Sequence, residues 1–314
     1  MATTLAGRAP DRGLIARVRA KVDLRWYAAS AALLTYGMIV LGGTVRATDS
    51  GQACPDWPLC KGHVIPPLEA KVWVEFTHRL VATLITFVLI GLIYGVWRRR
   101  HEDPLLWKLA IASGVVLLVQ ILLGGATVNS GNAAWSVAMH LSVALTFLTV
   151  LIIITARLFR PADHGILRPE VLPVVVLAGV FALVISGAFV SQKHAGLAYP
   201  DWPLFDGGVT PADSEAGWLH YVHRLIAGSL GLLYLGLFIT AIRAKVDSRV
   251  IWLLTLAGVL IAAQALVGAL NVWLELATSV RILHLALASA VWGVLAFTMA
   301  WAYQNGLRLT KGSS

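Results

Sequence analysis

His78 and His223 stand 145 residues apart in nearly the same words, VEFTHRLVATL (74–84) and LHYVHRLIAGS (219–229). His140 and His284 repeat at a spacing of 144, in AMHLSVAL (138–145) and ILHLALAS (282–289). Imidazoles inside apolar segments are costly and usually carry a task. Any one of them alone reads equally as a hydrogen-bonding partner between helices. Two matched pairs, each roughly 6–10 Å inside a helix end at ~1.5 Å per residue, point instead to metal ligation by the set. Zinc calls for three or four ligands. One imidazole from each side of an apolar slot suits the two axial positions of a porphyrin iron. His63, His101, His164 and His194 lie between the apolar segments without counterparts and read as solvated.

The copies differ one turn before the first histidine, where Glu75 is answered by His220. Three residues separate Glu75 from His78, so both lie on one helical face. A carboxylate beside one metal site and not the other implies one reactive site and one carrier. It also reads as an acidic residue favoured near a helix N-terminus. Arg79 and Arg224 follow the matched histidines and suit either anionic groups of a bound porphyrin or snorkelling to lipid headgroups. Gln120 and Gln264, another matched pair, read as makers of interhelical hydrogen bonds. A loop is duplicated as well: CPDWPLC (54–60) returns as YPDWPLF (199–205), with Cys54 and Cys60, the only two cysteines, replaced by Tyr199 and Phe205. An outward-facing loop favours a disulfide, and the spacing is not that of a zinc knuckle. Whether such a bridge is a staple or redox-active is not set by spacing.

These residues need elements to hold them in lipid. The 314-residue chain is 58% hydrophobic and 13% charged, against about 25% charged in soluble domains. Apolar segments near the ~20 residues needed to cross a bilayer fall at 26–45, 78–97, 107–128, 134–156, 171–191, 218–242, 250–270 and 281–303. Trp26, Trp73, Trp97, Trp107, Trp135 and Trp218 sit at segment ends, as interfacial anchors do. The net charge of +9 is not a nucleic-acid signal, because 18 of the 25 Lys and Arg fall in alternate loops and both tails. That is the positive-inside pattern with both termini cytoplasmic, and a bacterial plasma membrane is expected. The long first apolar run and the Arg-rich tail before it do not fit a cleaved signal peptide.

QILLGGATV (120–128) and QALVGALNV (264–272) also match at 144. The expected fold is therefore all-α, a polytopic membrane protein with eight transmembrane helices arranged as two tandem pseudo-twofold four-helix bundles. The expected division is a basic cytoplasmic tail (1–25), an N-terminal bundle (26–157), a cytoplasmic linker (158–170), a C-terminal bundle (171–303) and a cytoplasmic tail (304–314).

Taken together, GGTVRATDSGQACPDWPLCKGHVIPP leading to EFTHRL, YPDWPLF leading to HYVHRL, and MHL and LHL in the fourth and eighth segments resemble the haem A synthase family over about residues 26–303. The resemblance implies oxidation of a methyl substituent of haem O to a formyl group, giving haem A for aa-type terminal oxidases. It implies a haem b cofactor on His223 and His284, haem O or haem A on His78 and His140, and a catalytic Glu75. The implied partners are haem O synthase, oxidase assembly factors, a membrane electron acceptor and a possible second copy of the chain. Some family members repeat the cysteine pair in the third outer loop, and this chain does not, so the thiols mark the half that also holds Glu75. The alternative is a di-haem b membrane electron-transfer protein, which has no need of a unique carboxylate. A transporter ranks third, since no proline interrupts a span interior.

Overall fold

A computed structural model describes residues 23–159, 170–305 and 309. Most of the expected tails and linker (1–25, 158–170 and 304–314) lies outside the described residues. The described residues form eight long helices, each long and apolar enough to cross a membrane: α1 Leu24–Ala47, α2 Ala70–Trp97, α3 Pro104–Asn129, α4 Ala134–Phe159, α5 Val171–Gln192, α6 Glu215–Arg243, α7 Ser248–Trp273 and α8 Thr278–Gln304. A helix is the solution lipid imposes, because every backbone polar group must find its partner within the segment. The fold is all-α, and the chain is a multi-pass membrane protein.

Helix starts are written in the sequence. Asp103 caps α3 by accepting from Leu106 N–H, Pro104 opens it, and Ser214 caps α6 through Gly217 N–H. Both are standard N-terminal signals. The largest departure from the apolar segments is at α2, which begins eight residues before the expected 78. Lys71 and Glu75 lower the apolar signal there, yet the helix continues out of the hydrocarbon and carries Glu75 with it.

Packing repeats like the sequence. In the first half α1 meets α2 and α4, and α3 meets α2 and α4. In the second half α5 meets α6 and α8, and α7 meets α6 and α8. Neither α2 and α4 nor α6 and α8 approach backbone to backbone. The helices bearing each histidine pair are therefore diagonal partners across a bundle. One apolar cluster joins α1 to α4 through Ala28, Leu89, Leu92, Ala110 and Leu151. Another centres on the second half and recruits Ile39, Leu145 and Leu148 from the first. The seam runs through α1–α8, α4–α8 and α4–α5. Trp292 Nε1 bridges it by donating to Leu145 O at 3.2 Å and Thr149 Oγ1 at 3.0 Å. Tyr36 OH donates across it to Ala286 O. Large apolar side chains such as Leu33, Phe87, Ile90, Leu232 and Val259 stay exposed on the outer faces, where lipid takes the place of a core.

Candidate haem-ligating sites and their lids

His78 and His223 each lie eight residues into their helices, α2 and α6, while His140 and His284 lie six residues into α4 and α8. All four enter from the same end. His140 is near enough to act electrostatically on His78, and His284 on His223. Each imidazole is seated against a glycine of a neighbouring helix. A methyl group on Gly42 would stand 3.2 Å from His78 Cε1, on Gly124 3.3 Å from His140 Cε1, on Gly187 3.1 Å from His223 Cε1, and on Gly268 3.4 Å from His284 Cε1. These glycines recur at the same spacings of 145 and 144 as the histidines. That spacing was the one signal that could have found them, since a glycine has no side chain to draw notice.

The matched glutamines bond across helices as expected, and their partners are the histidines themselves. Gln120 Nε2 donates to His140 Nε2 at 3.2 Å, and Gln264 Nε2 to His284 Nε2 at 3.3 Å. Nδ1 of His78, His140 and His284 is buried with no hydrogen-bond partner, which costs free energy unless something else engages the ring.

Above each bundle lies a lid. In the first, Asp56 accepts from the N–H groups of Lys61 and Gly62. In the second, Asp201 accepts from Asp206 and Gly207. Lys61 and Asp206 take positive φ, as do the glycines after them, so the chain can fold back within a few residues. The Gly62 and Lys61 N–H groups hold the Asp56 carboxyl below its ordinary 3.8, and those of Gly207 and Asp206 do the same for Asp201. Both lids carry a cis bond, Trp57–Pro58 and Trp202–Pro203. Trp57 lies against Gly125, where an added methyl would be 3.1 Å from the indole. Trp202 stands edge-on to Trp273 of α7 at 6.1 Å.

Arg79 and Arg224 reach up from the helices and gather lid carbonyls. Arg79 Nη1 donates to Asp56 O and Leu59 O, and Nη2 to Cys54 O at 2.8 Å and Glu75 Oε1 at 2.6 Å. Arg224 Nη1 donates to Asp201 O and Leu204 O. Clamping a lid is a task that the sequence alone does not reveal, because the carbonyls belong to residues 20 to 25 positions away. Arg224 Nη2 is buried without a partner.

The halves part company around this clamp. Cys54 and Cys60 are disulfide-bonded and buried, and Cys54 N–H donates to Glu75 Oε2 at 2.9 Å. Glu75, 4% exposed, is thus held between the disulfide-bridged lid and Arg79. In the second half Tyr199 replaces Cys54, packs edge-on against Phe205 at 5.1 Å, and donates its hydroxyl to Gly217 O. Arg224 lies over both rings, and its Nε donates to His220 Nε2 at 3.0 Å. Aromatic packing closes one lid, whereas a covalent bridge tied to a carboxylate closes the other.

With this geometry established, comparison with known proteins gives a consistent result. The profile of the COX15-CtaA family, described as "Cytochrome oxidase assembly protein", matches residues 25–217 and again 213–313. The chain is 30% identical over 277 residues to "Heme A synthase" of Symbiobacterium thermophilum, covering 82% of this chain and 89% of that protein. It is 29% identical over 300 residues to "Heme A synthase" of Geobacillus thermodenitrificans, covering 91% and 93%. It is 28% identical over 304 residues to the protein of the same name in Bacillus cereus, covering 93% and 97%. A match across nearly the whole chain, with both lids and all four histidines inside it, places this protein in the COX15-CtaA family.

Proposed function

We propose that the chain is a haem A synthase, which oxidises a methyl substituent of haem O to the formyl group of haem A. The observation that carries this reading is the asymmetry of two otherwise matched sites: only the first has a buried carboxylate one turn from a histidine, and only the first has a disulfide lid bonded to it. A carrier of electrons needs no such difference.

The residues suit an iron porphyrin. The described residues hold no group of three His, Cys, Asp or Glu able to bind a metal ion, while the four imidazoles face in pairs across diagonal helices. The glycine seats hold all four rings in matched positions, and a group bound at Nε2 of His140 or His284 would take the place of the Gln120 or Gln264 amide there. His223 and His284 would hold a resident haem b, with Arg224 Nη2 the free donor for a propionate. His78 and His140 would hold the substrate. Haem b, when bound, supplies one-electron redox chemistry.

Turning a methyl into a formyl group with a membrane electron acceptor as oxidant takes one oxygen from a water molecule, releases four protons and passes four electrons to that acceptor (R–CH3 + H2O → R–CHO + 4 H+ + 4 e−). Glu75, oriented by Cys54 N–H and Arg79, places negative charge beside the carbon that becomes electron-poor. The lids lie over the outer mouth of each bundle, with Trp57 packed against Gly125 of α3. The basic loops put both termini in the cytoplasm of a bacterial plasma membrane, with the lids on the outer face. Haem O synthase would deliver the substrate and oxidase assembly factors would receive the product.

Expression in a host that makes haem O but not haem A tests this, with the extracted haems separated chromatographically. Wild type is expected to yield haem A. Glu75→Ala is expected to lower the yield at least about 100-fold, the scale of a lost electrostatic or proton-transfer group. Retention of haem O with no haem A in wild type, in a host competent for the family's activity, would sink the reading.

A further inference from the structure

Of the four paired imidazoles, three have an unpartnered Nδ1, and His223 is the exception. Ser186 Oγ of α5 lies 2.8 Å from His223 Nδ1. The same hydroxyl lies 2.8 Å from Leu183 O, about one turn back on α5. A serine hydroxyl has one proton and a carbonyl oxygen can only accept. With the hydroxyl proton on Leu183 O, the back-bond a helical serine commonly makes, Oγ accepts from His223 Nδ1–H. In that arrangement Nδ1 is protonated and Nε2 keeps its lone pair for a metal. Gly187, the next residue, abuts Cε1 of the same ring. The Ser186–Gly187 dipeptide thus holds two adjacent ring atoms.

At the spacing of 145 the first half has Leu41–Gly42. The glycine is kept, against His78 Cε1, and the hydroxyl is gone. His78 Nδ1 is left with nothing to bond. At this position a hydroxyl beside His223 is answered by an apolar side chain beside His78.

We propose that Ser186 is a positioning residue that makes His223 a strong, permanent axial ligand, and that Leu41 leaves His78 a weaker, exchangeable one. This rests on the two-haem reading above. An acceptor on Nδ1–H locks the ring and strengthens Nε2 as a donor, and loss of such outer partners costs 10–100-fold in metal affinity. Stronger donation favours ferric over ferrous iron and so lowers the reduction potential. A substrate site needs the opposite, since its porphyrin must leave after each cycle.

A serine hydroxyl in a helix bonds back to a carbonyl whatever its neighbours, so the test must read the iron. Full-length protein carrying its haem is compared as wild type, Ser186→Ala, Ser186→Thr and Leu41→Ser. The readouts are haem b loss to excess apomyoglobin and the midpoint potential. Ser186→Ala is expected to release ferric haem b about tenfold faster and to raise its potential, a tenfold change in ferric preference being about 59 mV for a one-electron couple. Ser186→Thr should restore both, and Leu41→Ser should slow release from the first site. Wild-type release and potential in Ser186→Ala would overturn the proposal. Loss of haem b in His78→Ala with retention in His223→Ala would instead overturn the site assignment beneath it.

Discussion

Asp56 and Asp201 each fold a lid by accepting two backbone N–H groups, and both carboxyls titrate below 3.8 as a result. A depressed carboxylate stabilises the fold fully above its unfolded pKa and loses that contribution as pH falls through the folded value. Both lids are therefore expected to stay closed at neutral pH and to loosen only below about pH 4. Hydrogen exchange at Gly62 and Gly207 across that range would show the change, and Asp56→Asn should expose Gly62 at neutral pH while leaving Gly207 protected. At this scale the four histidines and Glu75 stood out in the sequence because a polar group in an apolar segment is conspicuous and because the repeat supplied its own comparison. Gly42, Gly124, Gly187 and Gly268 did not, since their contribution is space. Ser186 was hidden for another reason: its partner lies 37 residues away on another helix, and its counterpart Leu41 is unremarkable in a membrane span. The clamp of Arg79 and Arg224 on lid carbonyls was likewise invisible, because any residue supplies a carbonyl.

Helices transmit those contacts. Each paired imidazole is set by the helix it belongs to and by the glycine of the helix beside it, so a single methyl group is enough to move it. Gly42→Ala would place Cβ 3.2 Å from His78 Cε1, and Gly187→Ala would place it 3.1 Å from His223 Cε1. Both are tighter than ordinary contact, and overpacking of this kind costs about 1–3 kcal/mol. Gly187→Ala is expected to perturb the haem b spectrum and leave substrate haem bound, whereas Gly42→Ala should do the reverse. Optical and electron paramagnetic resonance spectra of the two purified variants distinguish the cases. A shared effect on both haems would place the glycines in general packing instead. Segment positions were legible from apolar runs and capping residues to within a few positions. The exception, the start of α2, arose because Lys71 and Glu75 lower the apolar signal over a first turn and a half that is nonetheless helical.

Across the whole molecule, two copies of one four-helix unit pack along a seam of α1, α4, α5 and α8. Gly43 of α1 admits Leu285 of α8 closely there, the added methyl falling 2.6 Å from Leu285 Cδ2. Gly43 adjoins Gly42, the seat of His78, and Leu285 adjoins His284, so the seam brings the two sites into one rigid frame. Duplication supplies two equivalent halves, each with a diagonal histidine pair and a lid, and the copies diverge at a few places: Glu75 from His220, the cysteine pair from Tyr199 and Phe205, Leu41 from Ser186. The repeat made the architecture and the asymmetry at Glu75 and the cysteines readable in the sequence. The pairing of His78 with His140 and of His223 with His284 was legible too, whereas the diagonal placement of their helices and the glycine seat of each ring required the fold. Division of labour between the halves is the central claim, and haem occupancy of paired variants tests it most directly. Purified from a host that supplies both haem b and haem O, His78→Ala/His140→Ala protein is predicted to retain haem b and lack haem O and haem A. His223→Ala/His284→Ala protein is predicted to lose haem b and keep haem O bound without converting it. Loss of both haem types in equal measure from both variants would contradict the account.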